Sequence, residues 1–207
     1  STLTDTQIAD LYSAGPQSSI EEDLQFFEGY VQIFDTSYNR YDASLNNTKW
    51  SGTYTPRYDG ASATIGTKIY TIGGLDASGV DSSAVEVFDT SGNGEWTSEP
   101  GMPTARHGMA CTLVDDRYIY VIGGDASGSD VSNVVEVYDT SKNEWKSSVS
   151  DPSLSSLPIG VTDGAGGADL NGNIYVIGGT RNGSESNIIS KYVPWRYVNV
   201  GWDTYDG

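Results

Sequence analysis

The chain has 207 residues, 25 of them glycine, with 11% aromatic and 19% charged residues and a formal net charge of −17. This length allows a large core, and the mixture of glycine and aromatics suits short strands with tight turns, not disorder or a helical bundle. The scattered basic residues argue against a nucleic-acid partner, and no apolar run is long enough to predict membrane insertion.

The N-terminal segment, residues 1–50, is predicted to be a degenerate repeat. Val31–Thr36, followed by Trp50, matches the second half of the later repeats with an enlarged turn between. Asp10–Pro16 is an incomplete version of their apolar strand, and Ser18–Glu28 could equally form a short helix, because Ser18 and Glu21 have capping-box spacing.

Three clear repeats follow, over residues 54–96, 103–145 and 158–202. An Ile-Tyr-(Thr/Val)-Ile-Gly-Gly phrase begins at residues 69, 119 and 174, so its copies are 50 and 55 residues apart. A Glu-Val-(Phe/Tyr)-Asp-Thr phrase begins at residues 86 and 136 and is followed by Trp96 and Trp145. A period near 50 residues built of short apolar runs is typical of radially repeated four-stranded sheets.

Each clear repeat is expected to hold four strands. In the 103–145 repeat these are a small-residue strand Gly108–Val114, an apolar strand Tyr118–Ile122, an alternating strand Asn133–Tyr138 and an outer strand around Trp145. Small residues suit strands that converge on a central axis. The glycine doublets are expected where the chain turns sharply against a neighbouring backbone.

The last repeat is predicted on the same plan. Its inner strand is Gly164–Ala168, and Asn171-Gly172 predicts a two-residue hairpin to the next strand. Ile189–Tyr192 and Tyr197–Trp202 are expected to be its third and outer strands. Across all three repeats, aromatic residues should fill the wedges between sheets: Phe88, Tyr138, Tyr192, Trp96, Trp145 and Trp202.

The double glycines, the Glu-Val-Tyr-Asp phrase and the spaced tryptophans resemble kelch repeats over roughly Tyr54–Tyr192. The resemblance implies an all-β, kelch-like β-propeller, here of about four four-stranded blades within a single domain over residues 1–207. Since kelch propellers more often hold about five to seven blades, three arrangements stay open. The chain closes a four-blade ring, other copies complete or stack on it, or it is an excerpt of a longer protein.

The Asp-rich loops and the single histidine could carry chemistry, but ordinary loop structure explains both. Asp76 with Asp81, and Asp125 with Asp130, lie five residues apart around a glycine and could supply oxygens to Ca²⁺, but Asp-rich turns explain them better. His107, the only histidine, lacks a nucleophile partner at a recognisable spacing and cannot build a His-rich metal centre. We therefore expect no metal, no cofactor and no enzyme activity.

The loops after the glycine doublets and those before each inner strand should emerge on one side of the ring. That side is predicted to carry the candidate binding residues Arg57, Asp76, Asp81, Arg106, His107, Asp125, Asp130, Arg181 and Glu185. The expected function is protein association, either as a self-assembling structural subunit or as a scaffold that binds a different protein. The composition favours an extracellular setting. The alternative is a carbohydrate-binding or carbohydrate-active propeller.

Overall fold

The computed structural model describes residues 54–91, 94–126, 131–181, 183–194 and 201–205. The chain divides into two units, residues 1–49 and 50–207, and all described residues belong to the second. The predicted repeat over residues 1–50, and with it the division into four blades, lies outside the described residues and stays a prediction. In the described ranges no helix could cross a membrane.

The described residues form three four-stranded antiparallel sheets, which confirms the all-β prediction. Sheet A contains β1 (Ala61–Ile65), β2 (Lys68–Ile72), β3 (Val85–Asp89) and β4 (Glu95–Glu99), hydrogen-bonded in that order. Sheet B contains β5 (Ala110–Val114), β6 (Tyr118–Ile122), β7 (Val135–Asp139) and β8 (Glu144–Ser147), in the same order. Each sheet is a meander of the kind found in propeller blades.

Sheet C repeats this plan with an insertion. It contains β9 (Ala165–Ala168), β10 (Ile174–Ile177), β13 (Ile189–Val193) and β14 (Gly201–Tyr205). A small hairpin of β11 (Thr180–Arg181) and β12 (Ser184–Glu185) lies between β10 and β13. The described part of the outer strand begins at Gly201, and residues 197–200 of the predicted outer strand lie outside the described residues.

The turn between β9 and β10 differs from the predicted two-residue hairpin. The backbone of Asp169 pairs with that of Asn173, which leaves three residues in the loop. Gly172 has a φ of 77°, and Asn171 does not have a positive φ. A two-residue turn of type I′ needs positive φ at both central residues, so this loop belongs to the three-residue class with glycine at the left-handed position.

The inner strands of neighbouring sheets lie side by side, with β5 between β1 and β9. Their small residues allow this approach, as predicted. A Cβ on Gly166 would lie 2.5 Å from the backbone oxygen of Cys111 in β5, so only glycine fits there.

Two hydrophobic clusters fill the spaces between sheets. One lies between sheets A and B and includes Ile72, Val87 and Val121, and the other lies between sheets B and C and includes Ile122, Val137 and Val176. Sheet B is therefore buried on both faces. Its strands read as continuous apolar runs because alternate side chains serve two different cores.

The predicted wedge aromatics form one cross-strand pair in each sheet. The ring centroids lie 5.1 Å apart for Phe88 and Trp96, 5.0 Å for Tyr138 and Trp145, and 5.1 Å for Tyr192 and Trp202. In each case the third strand supplies the first ring and the fourth strand the tryptophan. Such pairs stabilise a sheet beyond their buried area.

Candidate functional site

Two sets of loops lie together at one end of the three sheets. The lead-in loops, residues 57–60, 106–109 and 161–164, precede the inner strands, and the doublet loops, residues 75–84, 125–134 and 180–188, follow the glycine pairs. The lead-in loops bond to one another: Gly108 N donates to the Asp59 oxygen at 2.9 Å, and Asp163 N donates to the Gly108 oxygen at 2.8 Å. We call this end of the sheets the loop face.

The glycine doublets join the two sets of loops. Gly74 N donates to the Arg106 oxygen at 2.9 Å, and Gly124 N donates to the Val161 oxygen at 2.7 Å, so the doublets of sheets A and B each contact the lead-in loop of the next sheet. Gly74 has a φ of 95°, and a Cβ there would lie 2.6 Å from the oxygen of Tyr58. The doublets are therefore required by both backbone conformation and close approach.

Two of the predicted binding residues, Arg57 and Arg106, point into the protein. Arg57 Nη1 lies 2.7 Å from Glu86 Oε2, and its Nε donates to the Gly73 oxygen at 2.8 Å. Arg106 Nη2 lies 2.8 Å from Glu136 Oε2, and both of these side chains are fully buried. Each arginine thus ties a lead-in loop to the third strand of its own sheet, so neither presents its charge to a partner at the surface.

Burial lowers the pKa of Arg106, although the neighbouring Glu136 carboxylate opposes the shift. Thr104 also donates a hydrogen bond to Glu136, at 2.8 Å. A buried ion pair with these extra hydrogen bonds is costly to break, because the remaining charge has no water to solvate it.

Sheet C replaces this ion pair with a different contact. Val161 and Ser190 stand where sheets A and B have arginine and glutamate, and both are buried. Arg181 reaches in from β11, and its Nη2 donates to Ser190 Oγ at 3.2 Å. Burial lowers the pKa of Arg181, and the described residues offer it no carboxylate within ion-pair distance.

His107 and Asp81 connect two neighbouring sheets on the loop face. His107 Nδ1 lies 2.6 Å from Asp81 Oδ1, and the His107 side chain is 21% exposed. The backbone of His107 also pairs with that of Asp125 in both directions. The structure thus brings three of the predicted residues together, although the sequence spacing between them is irregular.

Asp76 and Glu185 make no contact of this kind with other described residues. Asp76 Oδ1 accepts hydrogen bonds from Ser78 N at 2.8 Å and Val80 N at 3.0 Å, which fixes the turn of its own loop. Glu185 is exposed on β12. Asp130 lies outside the described residues, so its place on the loop face stays a prediction.

Sequence reasoning missed two exposed acids near the inner strands, Asp59 and Asp163. They occupy the same position in their lead-in loops, where sheet B has Gly108, and the three φ values are 58°, 58° and 62°. A signal was present, because a position filled by Asp, Gly and Asp is typical of a left-handed turn residue. Aligning the lead-in loops would have placed both carboxylates on the loop face.

The loop face exposes carboxylates and buries its cations. Its arginines are buried, whereas Asp59, Asp163 and Glu185 are exposed, so its surface is acidic. Among the described residues no group of three or more His, Cys, Asp or Glu side chains could hold a metal ion. Burial raises the pKa of the Cys111 thiol to about 12, which makes it a poor nucleophile at neutral pH.

Comparison with known families gives one match. The model of the KLHDC2/KLHL20/DRC7 Kelch-repeats domain matches residues 19–195. The match therefore includes all three glycine doublets and begins well before the first described strand. No curated protein matches the chain.

Proposed function

The chain belongs to the Kelch-repeat domain family, and we propose that it binds a basic protein partner through its acidic loop face. Kelch-repeat domains generally serve as non-catalytic scaffolds for protein–protein binding. The proposed function of this chain is therefore binding and includes no reaction. Loops supported by a rigid scaffold are the usual place for such contacts. An extracellular setting stays part of the proposal on composition alone.

One observation carries the proposal: the loop face is acidic because its cations are buried. Arg57 and Arg106 are neutralised inside by Glu86 and Glu136. The carboxylates of Asp59 and Asp163 remain exposed on lead-in loops that hydrogen-bond to one another. A preformed surface of one charge sign favours a complementary partner and increases its association rate.

The test uses a ten-residue lysine peptide as the probe, with affinity measured by calorimetry at two salt concentrations. The double variant Asp59→Asn/Asp163→Asn should weaken binding by about 2- to 30-fold, since exposed charges each contribute about 0.2–1 kcal/mol. Asparagine tolerates the left-handed conformation of both positions, so the fold should be retained.

The matched control is Glu95→Gln/Asp116→Asn, which removes the same charge from exposed residues at the opposite end of sheets A and B. It should leave affinity nearly unchanged. If both double variants lower the affinity for the peptide equally, binding reflects net charge alone and the loop face has no special role.

A second candidate, self-association, is favoured by the outward face of sheet C. Tyr70 and Ile72 of β2, and Tyr120 and Ile122 of β6, are buried against the next sheet, at 6%, 0%, 4% and 0% exposure. In β10 the equivalent residues are Tyr175, which is half-buried, and Ile177, which is 49% exposed.

The face of Ile177 also presents Ile189 and Val193, which are half-buried. In sheets A and B the equivalent face is covered by the next sheet of the same chain. A second copy presenting the face of sheet A that carries Ile69 would therefore suit it. Such a head-to-tail contact would build rings or filaments from identical subunits.

The mass of the purified chain over a dilution series tests this second candidate. Sedimentation should show species larger than the 22.1 kDa monomer at high concentration. Ile177→Lys should shift the population to monomer, whereas Leu170→Lys, on the fully exposed β9–β10 turn, should not. A constant monomer mass in the unaltered chain would rule the candidate out.

A further inference from the structure

A cleft of about 170 Å³ opens between sheet B and the connection that follows it, on the side of sheet B that faces sheet C and at the end opposite the loop face. Two tyrosines and two aliphatic side chains contribute its apolar surface, and charged or hydroxyl side chains contribute the rest. The lining residues are Tyr118, Tyr120, Val137, Asp139, Lys142, Glu144, Lys146, Ser153 and Leu154. The Arg–Glu pairs and the acidic loops take no part in it.

The cleft depends on the long connection between sheets B and C. This connection spans residues 148–164, whereas the one between sheets A and B spans only residues 100–109. The extra length lets Leu154 and Leu157 pack into the core between sheets, and Ser153 and Leu154 line the cleft. Sheet A has Lys68 where sheet B has Tyr118, so its corresponding position lacks the aromatic wall.

The charges that line the cleft are balanced. Arg117 binds Asp139 through two hydrogen bonds, at 2.7 and 2.6 Å, which hold the pKa of the Asp139 carboxyl well below its usual range. Lys146 Nζ lies 2.9 Å from Asp151 Oδ2.

Two further charges at the rim, Lys142 and Glu144, are exposed and have no ion-pair partner among the described residues. One is a donor and the other an acceptor. The cleft therefore favours a neutral ligand with both kinds of hydrogen-bonding group over an ion of either sign.

We propose that this cleft binds a single neutral sugar ring. Hydroxyl groups both donate and accept hydrogen bonds, so one ring can satisfy an ammonium and a carboxylate together. The apolar face of the ring would lie against the half-buried Tyr118, because tyrosine combines a flat apolar body with a polar end. Tyr120 and Leu154, at 4% and 7% exposure, line the cleft from the core behind it. The volume is below the roughly 300 Å³ that drug-sized ligands need, which suits one ring rather than an extended molecule.

This inference is independent of the proposed protein partner, since the two sites lie at opposite ends of the sheets. The proposal concerns binding and includes no catalytic step, because the acidic side chains of the cleft are either bonded to Arg117 or exposed at the rim.

Saturation-transfer NMR with glucose, galactose, mannose and N-acetylglucosamine at millimolar concentration tests the site. At least one of these sugars should receive saturation from the protein. Tyr118→Ala and Glu144→Gln should each reduce the signal at least fivefold. Glu144 is exposed, so its variant keeps the test decisive even if Tyr118→Ala fails to fold.

The matched controls are Glu95→Gln, at the position of sheet A equivalent to Glu144, and Tyr58→Ala, which removes a 58% exposed tyrosine from the loop face. Both should retain the full signal. The proposal is overturned if none of the four sugars receives saturation, or if Glu144→Gln leaves the signal intact. Binding of a short apolar peptide in place of sugars would assign the cleft to protein association and equally refute the proposal.

Discussion

Sheets B and C contain the same Ile-Tyr-Val-Ile-Gly-Gly phrase in different surroundings. In β6 the residues Ile119–Ile122 are all at most 4% exposed, because sheet A covers one face and sheet C the other. In β10 only Ile174 and Val176 are fully buried, and Ile177 is 49% exposed. The motif therefore specifies a strand, whereas the neighbouring sheets decide whether each of its side chains is buried or exposed.

The same two sheets also differ in how they hold their lead-in loops. Sheet B uses the fully buried Arg106–Glu136 pair, and sheet C uses Val161 together with the Arg181–Ser190 hydrogen bond. At equivalent places, sheet B therefore has a charge pair, and sheet C has an apolar residue together with a weaker polar contact. Four sets of substitutions test how far the two sheets really differ.

The largest effect is expected from Glu136→Ala in sheet B. Removing the carboxylate leaves Arg106 charged and buried, which should lower the free energy of unfolding by about 3–5 kcal/mol in urea denaturation. The double variant Arg106→Met/Glu136→Leu should lose less than this single variant, because no unpaired charge remains. Glu144→Ala, on the exposed rim of the same sheet, is the control and should change stability by less than about 0.5 kcal/mol. A loss below about 1 kcal/mol for Glu136→Ala would contradict the prediction.

The next effect compares isoleucines at the same position of the repeated phrase. Ile122→Ala should cost about 2–5 kcal/mol, since it opens a cavity in the core between sheets B and C. Ile177→Ala should cost about 0.5 kcal/mol or less at a protein concentration where the chain is monomeric. If the two variants lose equal free energy of unfolding in thermal or urea denaturation, sheet C is covered in solution much as sheet B is.

A smaller effect is expected from two adjacent glycines in β9. Gly166→Ala should cost about 1–3 kcal/mol, because its Cβ would meet the Cys111 backbone and push β5 and β9 apart. Gly167→Ala is the matched control, with no atom within 4 Å of its new Cβ, and should be neutral or stabilising by up to about 1 kcal/mol. If both variants unfold at the same denaturant concentration, the inner strands do not pack as closely as described.

The smallest effect concerns the missing acid of sheet C. Ser190→Asp would place a carboxylate beside Arg181, so it should be tolerated better in the unaltered chain than in an Arg181→Met background. A double-mutant cycle should give a favourable coupling of about 1 kcal/mol. Additive effects would show that Arg181 does not fill the place that Arg106 holds in sheet B.

Much of the fold could be predicted because its signals are local and repeated. The strand phrases predicted β2, β3, β6, β7 and β10 to within a few residues. Of the predicted wedge aromatics, Tyr138, Trp145, Tyr192 and Trp202 pack into or against the clusters between sheets. The β9–β10 turn was mistaken because Asn171-Gly172 fits two turn types, and only the pairing of Asp169 with Asn173 decides between them. The exposed residues of the loop face were harder to predict, since a buried arginine and an exposed one cannot be told apart in a sequence.

The strands, the glycine turns and the repeat could be predicted from the sequence, because backbone conformation and side-chain alternation depend on near neighbours along the chain. The packing of the sheets was needed to show that Arg57 and Arg106 are internal, that Asp59 and Asp163 share the loop face, and that Ile122 is buried while Ile177 is exposed. These outcomes depend on burial, and burial depends on which sheet lies against which. The physical reason is that solvation of a charge or an apolar group is set by atoms distant in the chain.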